Sequence, residues 1–251
     1  MTPAAAEPRV LVALATYNER ENLAPLVRDI RAVLPYAHVL VTDDNSPDGT
    51  GQLADQLAAA DPHVHVQHRT GKLGLGTAIL AGMRYAMEHG YDQVVSMDAD
   101  FSHHPRYLPA LLAGIQRHDV MLGSRYVPGG GTLNWPLSRR LISAGVNAVS
   151  RVLMRLPARD TSGGFRCYRV AKLRETRLDD LLSTGYSFQE EMLYRCRRAG
   201  CRIGETPIVF EDRRAGSSKA DLREAARSMA VILRVGIPAF FGWDAIGEKA
   251  R

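Results

Sequence analysis

Apolar and polar residues follow a regular rhythm through the first half of the chain, short apolar runs alternating with stripes at helical spacing. Val10 to Ala15 is an apolar run of strand length. Leu23, Leu26, Val27, Ile30, Val33 and Leu34 then recur at helical spacing until Pro35 ends the pattern. His38 to Thr42 predicts a second strand, and Gln52 to Ala60 a second helix behind the turn residues Asn45-Ser46-Pro47-Asp48-Gly49. The unit repeats as strand Val64 to Gln67, helix Thr77 to Glu88, strand Gln93 to Met97, helix Tyr107 to Gln116 and strand Val120 to Gly123. Strands this apolar, alternating with helices, predict an α/β protein with a mostly parallel central sheet flanked by helices.

The Gly-rich stretch Pro128-Gly129-Gly130-Gly131 predicts a mobile loop, and beyond it the alternation fades. Here the pattern gives a helix over Leu137 to Met154, a strand with loop over Thr161 to Val170, a helix over Phe188 to Arg198 and a strand over Arg202 to Phe210. Leu222, Ala226, Met229 and Leu233 recur at spacings of four, three and four, with Arg223, Arg227 and Arg234 on other positions, so Asp221 to Gly236 predicts an amphipathic helix. Pro238 disfavours helix at Ile237 and leaves Phe240, Phe241 and Trp243 in an apolar tail. Such spacing suits core packing and a lipid surface equally, and the aromatic tail and positive charge favour an interfacial anchor. No apolar run is long enough to span a bilayer.

Lys and Arg number 32 against 27 Asp and Glu, a formal charge of +5, which favours anionic partners. The basic residues are dispersed and no basic motif is interleaved with aromatics, so nucleic acid is not expected. Cys167, Cys196 and Cys201 are odd in number and lack metal-ligand spacing, which points to a reducing compartment. Met1 to Arg9 lacks the apolar segment of a signal peptide, so the chain is expected in the cytoplasm.

In a parallel sheet, ligands sit beyond the carboxyl ends of the strands. Polar clusters fall there: Thr16-Tyr17-Asn18-Glu19, Asp43-Asp44-Asn45, Asp98-Ala99-Asp100 and Ser124-Arg125. Extended backbone puts the Asp98 and Asp100 carboxylates on one side, where they can share a divalent cation, and an all-oxygen set favours Mg²⁺ or Mn²⁺. Two solvated surface acids are the plainer alternative. His103 and His104 read as a polar loop before Pro105 rather than as ligands. Asp43-Asp44-Asn45 can accept hydrogen bonds from a base or ribose, or serve only as turn chemistry. Gly71, Gly74 and Gly76 match neither phosphate-loop pattern. Arg125, Arg139, Arg213 and Lys219 adjoin Gly- or Ser-rich turns, as phosphate clamps or as solvated surface. No nucleophile set supports covalent catalysis.

Together these residues resemble the dolichol-phosphate mannosyltransferases, or polyprenol monophosphomannose synthases, inverting family-2 glycosyltransferases of the Rossmann-like GT-A fold. The resemblance runs over Thr16-Tyr17-Asn18-Glu19-Arg20-Glu21-Asn22, Asp43-Asp44-Asn45-Ser46-Pro47-Asp48-Gly49-Thr50, Gly74-Leu75-Gly76-Thr77, Met97-Asp98-Ala99-Asp100-Phe101-Ser102-His103, Gly123-Ser124-Arg125-Tyr126, Phe188-Gln189-Glu190-Glu191 and Gly216-Ser217-Ser218-Lys219. Several motifs in order are far more specific than one. The resemblance implies a catalytic domain over 9–220, with a nucleotide-sugar half over 9–127 and an acceptor half over 128–220, followed by the helix and tail of 221–243. It implies transfer of mannose from GDP-mannose to a polyprenyl phosphate, with Asp100, Arg125 and Arg139 central to catalysis. Tyr17, Glu19, Asp44, Asp98, Gln189, Glu191, Arg213 and Lys219 would hold the nucleotide sugar, and Arg125, Arg139 and Ser143 the acceptor phosphate. Asp98, Asp100 and Ser102 would hold Mg²⁺ or Mn²⁺. The chain would work peripherally on the cytoplasmic face of a membrane, with a small membrane protein as a further partner. Ala15 stands where the family usually has Pro, and Ser102 where some members have Gln, which weakens Ser102 as a ligand. A UDP-glucose donor and a non-catalytic nucleotide-sugar-binding module stay open as alternatives.

Overall fold

Each apolar run becomes a strand because its side chains are buried on both sides of the sheet. In β1 (Val10–Thr16), Val10, Val12 and Leu14 enter one core, while Leu11 and Ala13 enter the other. The computed structural model describes residues 7–185, 187–211 and 222–243. In chain order the remaining strands are β2 (His38–Asp43), β3 (Val64–His68), β4 (Gln93–Asp98), β5 (Val120–Ser124), β6 (Gly131–Thr132), β7 (Arg166–Arg169), β8 (Ile203–Pro207) and β9 (Val209–Phe210). The helices are α1 (Arg20–Val33), α2 (Thr50–Ala60), α3 (Leu75–Glu88), α4 (Leu108–Gly114), α5 (Leu137–Leu153), α6 (Val170–Leu173), α7 (Phe188–Arg198) and α8 (Leu222–Phe241).

Seven strands form one sheet in the order β3-β2-β1-β4-β7-β5-β8. All pairings are parallel except those of β7, which runs antiparallel between β4 and β5. The first core takes Leu23, Leu26 and Ile30 of α1 and Leu108 and Leu111 of α4; the second takes Ile79 and Met83 of α3, Met192 and Leu193 of α7, and Ile232 and Val235 of α8. This is the mostly parallel, helix-flanked architecture that the periodicity predicts.

Four details differ. The strand expected over Arg202 to Phe210 breaks at Ile208 into β8 and β9, and β9 pairs with β6 from the Gly-rich loop. The helix expected from Tyr107 begins as a single 3-10 turn at Pro105–Tyr107 before α4. Short α6 and a 3-10 turn at Leu178–Asp180 are too brief for a periodicity to reveal. The C-terminal helix does not end before Pro238 but runs through it to Phe241. Ile232, Val235 and Ala239 are buried on both sides of the proline, and their packing offsets the roughly 3 kcal/mol that an interior proline costs.

Candidate functional site

The carboxyl ends of β1, β2 and β4 open onto one pocket. Ala15, Thr16, Tyr17, Glu19, Asp44, Lys72, Gly74, Leu75, Asp98 and Asp100 are among its lining residues. Three non-glycine residues in the left-handed region punctuate its rim: Asn18 at φ 58°, Asn45 at φ 56° and Phe101 at φ 66°, each directly after Tyr17, Asp44 or Asp100. Such backbone is uncommon outside Gly and Asn, and it turns the chain sharply where these side chains must be presented.

Around this pocket the residues divide between those that face it and those that brace it. Asp43 is a brace: its carboxylate accepts from Thr16 Oγ1 at 3.1 Å, Ser46 Oγ at 2.5 Å and the Ser46 N–H at 3.0 Å. Asp44 lines the pocket and stands 2.7 Å from Arg69 Nη1 while accepting the Leu73 N–H at 3.2 Å. Burial pushes its pKa up, against the pull of Arg69 and of backbone N–H groups. Lys72 Nζ lies 4.8 Å above the Tyr17 ring, closing one wall with a cation over an aromatic face. Glu19 accepts from Asn22 Nδ2 at 2.9 Å.

Asp98 and Asp100 both line the pocket, as the spacing predicts. Asp100 Oδ1 accepts from the Ser102 N–H at 3.0 Å and Ser102 Oγ at 2.6 Å, so the buried Ser102 orients Asp100. His103 Nδ1 accepts the Asp98 N–H at 3.0 Å and its ring stacks on Phe165, so this histidine shapes the loop. Among the described residues no cluster of three His, Cys, Asp or Glu could hold an ion alone. Two oxygen donors facing an open pocket do suit Mg²⁺ or Mn²⁺, which bind through one or two carboxylates with substrate phosphates and water.

The glycines serve packing. A Cβ on Gly74 would lie 2.6 Å from the Thr184 carbonyl, and one on Gly76 2.7 Å from Phe188 Cβ.

α7 carries Gln189, Glu190 and Glu191 toward the site, and they separate. Gln189 Nε2 and Asp98 Oδ1 face the same spot beside Gly164, where a Cβ would meet them at 3.2 and 3.7 Å. Gln189 Oε1 is buried without a hydrogen-bond partner among the described residues, in keeping with a side chain aimed at a ligand. Glu191 corrects the sequence expectation. It is fully buried and accepts from the N–H groups of Leu182 and Ser183, Ser183 Oγ at 2.6 Å and the Arg195 guanidinium at 2.8 Å, so it struts the 182–183 loop. Glu190, which no motif role singles out, is buried, its Oε2 has no hydrogen-bond partner among the described residues, and burial pushes its pKa up to about 7.

On the acceptor side, Arg125 is not a free clamp. Its Nε and Nη2 donate to Asp160 at 2.8 and 2.6 Å, its backbone N–H donates to Asp160 Oδ2 at 2.9 Å, and Nη2 also reaches Ser162 at 2.9 Å. Burial opposes both charges, but the pairing outweighs it and holds the Asp160 carboxyl below its ordinary pKa. Ser143 Oγ accepts from the Tyr126 hydroxyl at 2.7 Å, and Asn147 ties α5 to the next loop by bonds to Ser143, Thr161 and Ser162. Arg139 stacks 4.0 Å from the centroid of Trp135, whose buried Nε1–H has no partner among the described residues. Fully buried Arg166 donates to the carbonyls of Thr161, Gly163 and Gln189. Asp160, Asn147 and Arg166 carry no motif signal in the sequence. Arg213 and Lys219 lie outside the described residues.

A mostly parallel sheet flanked by helices, with acidic residues gathered at its carboxyl edge, is a GT-A-type α/β architecture. Residues 11–177 match glycosyl transferase family 2, and the chain belongs to that family. It is a glycosyltransferase. It is 46% identical over 243 residues to an undecaprenyl-phosphate mannosyltransferase of Micrococcus luteus, covering 97% of this chain and 98% of the relative. It is 45% identical over 235 residues to a polyprenol monophosphomannose synthase of Mycolicibacterium smegmatis, covering 91% and 89%. Among solved structures, glucosyl-3-phosphoglycerate synthase of Mycobacterium tuberculosis in complex with Mn²⁺, UDP and glucosyl-3-phosphoglycerate superposes with a TM-score of 0.64 at 17% identity, covering 95% of this chain and 81% of that one. At that identity the likeness is one of fold.

Proposed function

We propose that the chain transfers mannose from GDP-mannose to a polyprenyl phosphate, with inversion at the sugar carbon, while resting on the cytoplasmic face of a membrane. The relatives' names support a polyprenyl acceptor and a mannosyl product. The observation that carries the reading is α5. Arg139 and the Trp135 indole N–H, unpartnered among the described residues, stand at its start, and its outer face is apolar: Leu137, Leu141, Ile142 and Val152 are each at least 60% exposed, whereas its buried positions are the polar Asn147 and Ser150. A phosphate head and a lipid chain therefore each have a place on one element. α8 adds to this face. Leu233, Ile237, Phe240 and Phe241 lie outward, while Met229, Ile232, Val235 and Ala239 pack inward. Among the described residues no helix is long and apolar enough to cross a membrane.

In this reading Tyr17, Glu19 and Asp44 hold the nucleotide, and Asp98, with Gln189 beside it, the sugar. The acceptor phosphate is anionic near neutral pH, so its oxygen attacks the anomeric carbon without a strong general base. Gln189, which can hydrogen-bond but not ionise, would orient the sugar and not act as a base. The nucleoside diphosphate leaves as an anion. Asp98 and Asp100, braced by Ser102, would hold Mg²⁺ or Mn²⁺, which supplies charge compensation to the diphosphate. Arg139 brings two anions together, and Arg125, neutralised by Asp160, shapes the acceptor side.

Incubation with polyprenyl phosphate and radiolabelled GDP-mannose or UDP-glucose tests the reading. Label entering the lipid phase from GDP-mannose is expected, and label entering only from UDP-glucose would overturn the sugar assignment.

A further inference from the structure

The last turn of α7 places two thiols together away from the site. Gly200, at φ 72°, ends the helix in the left-handed conformation, and the Cys201 N–H donates back to the Cys196 carbonyl at 3.0 Å. In this type of helix end, the residues joined by that bond bring their side chains into contact, a place usually taken by an apolar pair. Here both are cysteines. The backbone bond caps their Cα separation at about 7 Å, at the outer reach of a disulfide, roughly 4.4–6.8 Å. The same helix-end geometry turns the two side chains toward one side of the last turn.

The two thiols are unequal in a useful way. Cys201 is half-buried and open to a small reagent, whereas Cys196 is 1% exposed. The neighbouring Cys196 thiol, helped by Lys172, favours the Cys201 thiolate against burial and the charges of Asp119 and Glu175. Cys167, on β7 in the middle of the sheet, is fully buried, and burial pushes its thiol up to about 12. It is inert by comparison.

We propose that Cys196 and Cys201 are a reversible dithiol–disulfide pair, closed by exchange with a low-molecular-weight disulfide. The Cys201 thiolate attacks one sulfur of the reagent, breaking its S–S bond and releasing one thiolate that takes up a proton. Cys196 then loses its proton and attacks the Cys201 sulfur, displacing the second thiolate, which is protonated in turn. The protein is oxidised by two electrons and the reagent is reduced to two thiols. Closure ties the end of α7 to the segment entering β8, and excess dithiol reopens it.

Treatment of the full chain with oxidised glutathione, followed by intact mass and peptide mapping, tests this. The expected product has lost the mass of two hydrogen atoms, links Cys196 to Cys201 and leaves Cys167 alkylatable after unfolding. Cys201→Ser should give neither bridge nor adduct, and Cys196→Ser should accumulate a glutathione adduct on Cys201. A persistent adduct on Cys201 in the unmodified sequence, a bridge through Cys167, or no change at Cys201 would each overturn the pair. If Cys196→Ser fails to fold, peptide mapping of the unmodified sequence decides the matter alone.

Discussion

Asp160 grips Arg125 at three points, the side-chain Nε at 2.8 Å, Nη2 at 2.6 Å and the backbone N–H at 2.9 Å, with the carboxylate wholly buried. Replacing it strands a buried guanidinium. Asp160→Asn should destabilise the fold by about 3–5 kcal/mol, read as a lower urea midpoint. An unchanged midpoint would show that solvent reaches Arg125.

Asp100→Asn keeps an oxygen for the Ser102 bonds and removes the charge that faces the pocket. Sugar transfer should fall at least ~100-fold with an unchanged circular dichroism spectrum. Weaker Mn²⁺ relaxation enhancement in the presence of GDP would tie the loss to the cation, and full turnover would remove Asp100 from the site.

Arg139 offers its charge on the Trp135 face. Arg139→Ala should raise the acceptor KM by the equivalent of about 1.5–3 kcal/mol, leaving the donor KM in place, and Arg139→Lys should restore little because an ammonium cannot stack or fork. A raised donor KM alone would place Arg139 on the other substrate.

Leu141 and Ile142 face solvent at 65% and 69% exposure. The double change Leu141→Ser, Ile142→Ser should reduce flotation with anionic vesicles and leave GDP binding intact. Equal flotation would move the membrane contact elsewhere.

At the opposite edge of the sheet, His38 Nδ1 and His65 Nε2 share a hydrogen bond at 2.8 Å, which requires one ring to be unprotonated. Burial lowers both pKa values, helped at His38 by His65, His63, Arg9 and Arg31 and at His65 by His89 and His63, against Asp61. The unfolded chain thus binds protons near pH 6.5 that the folded chain refuses. Stability should be full above that value and decline as pH falls through it toward the lower folded values. Urea midpoints at pH 7.5 and 5.5 measure this, and His65→Asn should flatten the difference.

The parallel half of the fold was legible because its strands are buried on both faces and their polar ends mark the ligand edge. Tyr17, Glu19, Asp44, Asp98 and Asp100 do converge on one pocket, as that rule requires. β7 was harder: Arg166-Cys167-Tyr168-Arg169 carries charge at both ends, and the burial of Arg166 rests on three carbonyls, two in the loop just before it and one on α7, 23 residues away. Glu191 misled for a related reason. A motif position reports that a carboxylate is needed, and its partners decide whether it meets ligand or backbone. The outward apolar face of α5 was hidden because helical spacing reveals a stripe without saying which way it points.

The reversed direction of β7 also bears on the order in which the chain folds. Strands β1 to β4 pair among themselves through short crossovers, so the acidic edge can assemble from the first hundred or so residues. β5 touches β4 only through β7, which must slot between them after two helices have been laid down. Contacts that close longer loops form later. The grip of Asp160 on Arg125 should therefore be among the last to mature, with pulse-labelled amides of β1 and β2 protected before those of β5 and β7 during refolding.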